Sequence, residues 1–140
     1  MTYDLTRFKQ AQLLGYPRAL AEIQSGKKTS HWMWYIFPQL KGLGRSSLSA
    51  YYGIRDLGEA RAYLADPVLG LRLAEICRAR RTLDTDDAAA VMGRPDNRKL
   101  RSSMTLFSAA ADTPGVFQAV LDKYYQGRRD RRTLRMLGLE

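Results

Sequence analysis

Apolar residues recur at three- and four-residue spacing over most of the chain, which is the signature of helices buried on one side. Asp4 is placed to cap a first helix carrying Leu5 and Phe8. Pro17 is expected to stop or kink it and to start a second, "PRALAEIQSG", with Leu20 and Ile23 on one face and Gly26 at its end. Asp56 and Glu59 have capping-box spacing ahead of "ARAYLAD". Asp66 caps the next helix, with Pro67 at its first position and a stripe of Leu69, Leu73, Ile76 and Leu83. Arg72, Arg78 and Arg81 fall at other angles. "DDAAAVMG" reads as a short helix closed by Gly93. Asp96 opens a longer one with Leu100, Met104, Phe107 and Ala111 at helical spacing. "TPGVFQAVLDKYYQG" follows, with a Thr113 cap, a Pro114 start and an apolar face of Phe117, Leu121 and Tyr124. A last basic helix, "DRRTLRMLGL", tucks in Leu134 and Leu137. The pattern predicts an all-α fold: a single compact domain over residues 1–140, with seven or eight short helices. β-Branched residues are sparse, so at most a short strand pair is expected.

Residues 27–53 break this pattern. They hold Pro38, Gly42, Gly44 and Gly53 and no sustained stripe, so they read as one long ordered connection with a helical turn near 47–51. Within it, "SHWMWYIFPQL" (30–40) sets Trp32, Trp34, Tyr35 and Phe37 beside His31, the only histidine of the chain. That many large rings left bare would make an aggregating patch. They are therefore either a core plug or the wall of a pocket that stacks on a planar ligand such as a nucleobase.

At 140 residues and 45% apolar content, the chain buries enough surface to need no staples. Its one cysteine, Cys77, lies in a predicted helix and reads as a core thiol, which fits a reducing, cytoplasmic setting. The start "MTYDLTRFKQ" lacks the apolar run of a signal peptide, and no membrane span is expected. A net charge of +9 suggests an anionic partner, or arginine used simply as the solubilising charge.

The candidate chemistry centres on the aromatic stretch. His31 is of the type that serves as general acid or base near neutral pH. Glu22, on the helix leading into the stretch, is the carboxylate best placed to share proton transfer. Trp32 and Trp34 are candidate ligand walls. Two echoes, "GRSS" at 44–47 and "LRSS" at 100–103, each place an arginine before two hydroxyls. Arg45, Ser46 and Ser47 have the composition of an anion site at a helix start. Arg101 and Thr105, with Ser108, share one side of a later helix. These elements form one site only if both segments meet beside His31. No nucleophile elbow, P-loop or dinucleotide fingerprint is present. One histidine and one distant cysteine cannot form a zinc site, so neither a metal nor a cofactor is expected. The runs "RARR" (78–81) and "GRRDRRTLR" (127–135) are a candidate phosphate-facing surface.

The order "RFKQAQ…YPRALAEIQSGKKTSHWMWYIFPQLKGLGRSSLSAYYGI", "LGEARAYLADPVLG" and "RPDNRKLRSSMTLF" resembles the bacterial domain of unknown function 1810 family over nearly the whole chain. The resemblance implies a compact helical domain and no activity. A looser, fold-level analogy connects "FKQAQ" and the following loop to helical N-glycosidases acting on NAD and ADP-ribose. Their catalytic residues find no counterparts here. The leading expectation is a small anionic or nucleotide-like ligand, with hydrolysis of a nucleotide or ADP-ribose-type N-glycosidic bond if a reaction occurs. The alternatives are a nucleic-acid or acidic-partner binding module working through the Arg-rich surfaces, and a non-catalytic interaction protein.

Overall fold

The computed structural model describes residues 3–113 and 115–140, and folds them into nine helices. These are α1 (Thr6–Ser25), α2 (Met33–Ile36), α3 (Ser47–Tyr52), α4 (Leu57–Ala65), α5 (Leu69–Arg81), α6 (Ala88–Met92), α7 (Asp96–Ala110), α8 (Gly115–Tyr125) and α9 (Arg131–Met136). The all-α expectation holds. Pairing between segments is limited to one isolated parallel bridge, Leu40 to Ile54, among the described residues.

Helix α7 is the hub, packed against α4, α6, α8 and α9. Ser102 to Ser108 are buried without a break, so this helix has no solvent face there. Small hydroxyl residues among them let neighbouring backbones come close. Thr105 Oγ1 donates back to the Arg101 carbonyl at 2.8 Å, and Ser102 Oγ to that of Arg98 at 3.3 Å. An aromatic chain ties the layers: Phe8 of α1 meets Tyr63 of α4 edge-on at 5.1 Å, and Tyr63 meets Phe107 of α7 at 5.2 Å. Phe107 in turn lies 6.0 Å from Phe117 of α8. Cys77 is sealed in this core with Sγ 3.6 Å from Met104 Sδ, and burial pushes its thiol up to about 12.

Four departures from the predicted elements are instructive. The break at Pro17 is absent, because α1 runs through it. Phe8, Gln12, Tyr16, Ala19 and Ile23 form one buried stripe across the proline, whereas Pro17 and the carbonyl-bearing Leu13 one turn earlier are exposed. The lost hydrogen bond thus falls on the wet side, where water replaces it. The second departure is α2, a helical turn inside the aromatic stretch. It is held from outside, by Gln12 Nε2 donating to the Tyr35 carbonyl at 2.7 Å. Third, α5 begins at Leu69 rather than Pro67, although Asp66 Oδ1 still accepts from the Val68 and Leu69 N–H groups. Fourth, on α9 the buried residue is Thr133, and Leu134 and Leu137 are only partly covered. The expected Pro114 start of α8 lies outside the described residues. Among the described residues, no helix is long and apolar enough to cross a membrane.

Candidate functional site

Gly26 ends α1 with φ +91°, a conformation that favours glycine, and turns the chain back over the helix it has just left. The returning loop, 27–32, is pinned from three sides. Glu22 Oε1 accepts from the Thr29 N–H at 2.6 Å, the Ser30 N–H at 2.9 Å and the Trp32 indole N–H at 3.0 Å. The Lys28 N–H donates to the Val91 carbonyl of α6 at 2.7 Å. The Lys28 ammonium bridges the Ser30 carbonyl and the Asp96 carboxylate at 2.6 and 2.9 Å.

This loop, α2 and the outer face of α1 enclose an open cleft of about 560 Å³. Arg18 and Leu14 come from α1, Thr29, Ser30 and His31 from the loop, and Tyr35 from α2. Gly15 makes the wall: a Cβ there would sit 2.5 Å from the Tyr35 ring, so the missing side chain lets the phenol lie against the helix. His31 and Arg18 are exposed at the cleft, and Arg18 makes no ion pair with any described residue. Burial and the neighbouring Tyr52 raise the Tyr35 phenol, and Arg18 opposes them.

The predicted site residues divide among four places. His31 faces the cleft. Glu22 lies beneath it. Burial of the Glu22 carboxyl favours the neutral form, but hydrogen bonds from Ser30, Thr29 and Trp32 outweigh this and hold its pKa at about 2. A carboxylate held so low is a poor proton acceptor near neutral pH, so the proton-transfer role expected of it gives way to a structural one. Trp32 is 1% exposed, with its N–H spent on Glu22 and its ring 6.1 Å from Phe37. It lines the floor of the His31 cleft but, almost wholly covered, belongs to the core and offers no open face for stacking. Trp34 lines a different crevice, with Lys99.

The two Arg-Ser-Ser echoes do not converge. Ser46 caps α3, its Oγ accepting from the Ser49 N–H at 3.1 Å, while Arg45 and Ser47 are exposed on that rim. Arg101 is committed elsewhere: Nε donates to the Arg128 carbonyl at 2.8 Å and Nη2 to that of Arg129 at 2.9 Å. Thr105 Oγ1 accepts from the Asp130 N–H at 2.8 Å. Both residues fasten the turn before α9, and neither Arg45 nor Arg101 lines the His31 cleft. Arg101→Ala should therefore cost about 1–2 kcal/mol in denaturant melts and speed proteolysis near 127–130. A stable variant without faster cleavage would contradict this.

Sequence reasoning passed over Arg18 and named Tyr35 only as one of the rings that could wall a pocket. The available signal was the pair Leu13 and Leu14, off the buried stripe and 69% and 89% exposed in the structure. Unburied leucines beside an arginine mark a surface with another use. Among the described residues, no cluster of three or more His, Cys, Asp or Glu side chains is arranged to hold a metal ion.

A family model described as "Protein of unknown function (DUF1810)" matches residues 2–137. The crystal structure of the conserved hypothetical protein Rv1873 from Mycobacterium tuberculosis is similar throughout. It has 45% identity, a TM-score of 0.95 and 99% coverage of either chain. No curated protein matches the chain.

Proposed function

This chain belongs to the DUF1810 family of proteins of unknown function, and from that premise we propose that it binds a small anionic, nucleotide-like ligand in the cleft between α1 and the 29–35 segment. The observation that carries this reading is the convergence of an unpaired Arg18, His31 and the Thr29 and Ser30 residues around the Tyr35 ring. A cation without an acidic partner favours an anion, and a phenol ring against a flat helix wall suits a planar group. The volume lies within the range of small-molecule sites. Rigidity supports it too, because the Glu22 and Lys28 anchors fix the loop before any ligand arrives, which lowers the ordering cost of binding. A buried free thiol, Cys77, suits a reducing, cytoplasmic setting for this role.

Binding is better supported than chemistry. N-Glycosidic hydrolysis would require His31 to move the proton without Glu22, whose Oε1 already accepts three N–H groups and whose pKa they hold at about 2. The Arg-rich alternative keeps exposed Arg78 and Arg81 of α5, loses Arg80, which is buried, and rests otherwise on exposed Arg131, Arg132 and Arg135 of α9, two of which pair with Glu140.

Calorimetric titration with AMP, ADP-ribose and NAD separates these readings. At least one should bind saturably, and Arg18→Ala and His31→Ala should each weaken it by about tenfold. Arg101→Ala and Arg45→Ala should leave affinity unchanged. Absence of binding across the panel would refute the cleft. So would affinity that collapses with salt yet ignores Arg18, since counterion release at the arginine surface behaves that way.

A further inference from the structure

On the other side of the aromatic stretch lies a second, much smaller crevice, partly open to solvent, with room for about one water: about 10 Å³, against about 560 Å³ for the His31 cleft. Its walls are Trp34, Phe37, Tyr52 and the ends of Gln39, Ser49 and Lys99. The two tryptophans of the segment differ in one respect. The Trp32 indole N–H has Glu22 as its acceptor, whereas Trp34 Nε1 is buried and has no hydrogen-bond partner among the described residues. A buried indole N–H ordinarily finds an acceptor, because leaving it unmet is costly. The charge here is a single ammonium: Lys99 Nζ lies 5.7 Å from the Trp34 ring centre. Asp96 shares its carboxylate between Lys99 at 3.8 Å and Lys28 at 2.9 Å, so Lys99 is only partly neutralised.

We propose that this crevice binds a small planar monocarboxylate, its ring against Trp34, Tyr52 and Phe37 and its carboxylate between Trp34 Nε1 and Lys99 Nζ. Two donors, one of them cationic, call for an acceptor with a single negative charge. The room in the crevice, about that of one water, admits a carboxylate oxygen but not a tetrahedral phosphate. Nε1 lies below the surface, so the acceptor reaches it by pushing the walls apart rather than by docking on a ready-made face. The site is separate from the His31 cleft and does not depend on the reading given to that cleft.

The chain has two indole N–H groups, which give two resolvable proton–nitrogen NMR signals. Benzoate is the probe. One signal, the one missing in Trp34→Phe, should move saturably with benzoate while that of Trp32 stays in place. Trp34→Phe, read by calorimetry, and Lys99→Met should each weaken binding by about tenfold or more, as expected for a hydrogen bond or ion contact to a charged acceptor. Lys99→Arg should retain it. AMP binding in the His31 cleft should be unaffected by Lys99→Met, so failure of either site is visible without the other. An unmoved Trp34 signal would overturn the proposal. So would benzoate binding that survives Lys99→Met at full strength, or an equal shift with neutral benzyl alcohol.

Discussion

Glu22→Ala is expected to lower stability by about 3–4 kcal/mol and to loosen the 27–32 loop over the cleft. Three N–H groups converge on one oxygen of this carboxylate, and one of them is the indole of a tryptophan that is 1% exposed. Water can take over the Thr29 N–H, which is at the surface, but it cannot reach the Trp32 N–H without opening the core. An orphaned buried donor costs roughly 1–3 kcal/mol, and the charge-assisted bonds to the two backbone groups account for the rest. Glu22→Gln is the milder companion. An amide oxygen still accepts hydrogen bonds but carries no charge, so a loss of about 2 kcal/mol is expected.

The same bonds make a statement about pH. The Glu22 carboxyl titrates at about 2 in the fold, against an ordinary value of 4.5. A depressed pKa stabilises the fold above the unfolded value, and that contribution disappears as pH falls through the folded one. The wild-type protein should therefore lose about 2–3 kcal/mol between roughly pH 5 and pH 2 from this group. Glu22→Gln should flatten that limb of the stability curve. Urea midpoints measured across this range test the assignment: parallel curves for wild type and Glu22→Gln would mean that the carboxylate is not held as described.

How far the sequence carried can be judged residue by residue. Asp56 and Asp66 both accept backbone N–H groups where their spacing put them, because a cap is a local interaction fixed by three or four positions. Local logic failed where distant residues decide. Pro17 reads as a breaker, but the stripe on either side of it packs on α5, and burial outweighs one solvated carbonyl. Met33–Ile36 forms a helical turn because Gln12, on another helix, holds Tyr35. The two Arg-Ser-Ser echoes look alike over four letters, yet Arg101 serves carbonyls 27 and 28 residues away. His31 was visible as the lone histidine among rings. Arg18 and Lys99 were not, since a single cation on a helix looks the same in sequence whether it faces open water or a pocket.

A second large effect is expected at Arg80, with the opposite sign: Arg80→Met should stabilise the protein by about 1–3 kcal/mol. Arg80 is fully buried, and among the described residues none of its three side-chain nitrogens has a hydrogen-bond partner of good geometry, although the Tyr125 hydroxyl is close enough to favour its charge. Burial works against its charge. The groups that favour it are the phenols of Tyr124 and Tyr125 and the Cys77 thiol, with no carboxylate among them. Its guanidinium lies 4.2 Å from the Tyr124 ring centre, a cation–π contact of about 2 kcal/mol when desolvated. Its place in the last turn of α5 adds up to about 1 kcal/mol from the helix dipole. Against these stands a desolvation penalty of several kcal/mol for a buried ion. Methionine keeps most of the volume and the contact with the ring while removing the charge. Arg80→Ala removes the charge as well but leaves a cavity, and should destabilise by about 1–3 kcal/mol. The pair of variants separates volume from charge, and thermal melts read it as a rise of about 3–10 °C for methionine against a fall for alanine. A fall for both would show that the guanidinium is satisfied in solution, by ordered water or by a counter-ion within the α5–α8 packing.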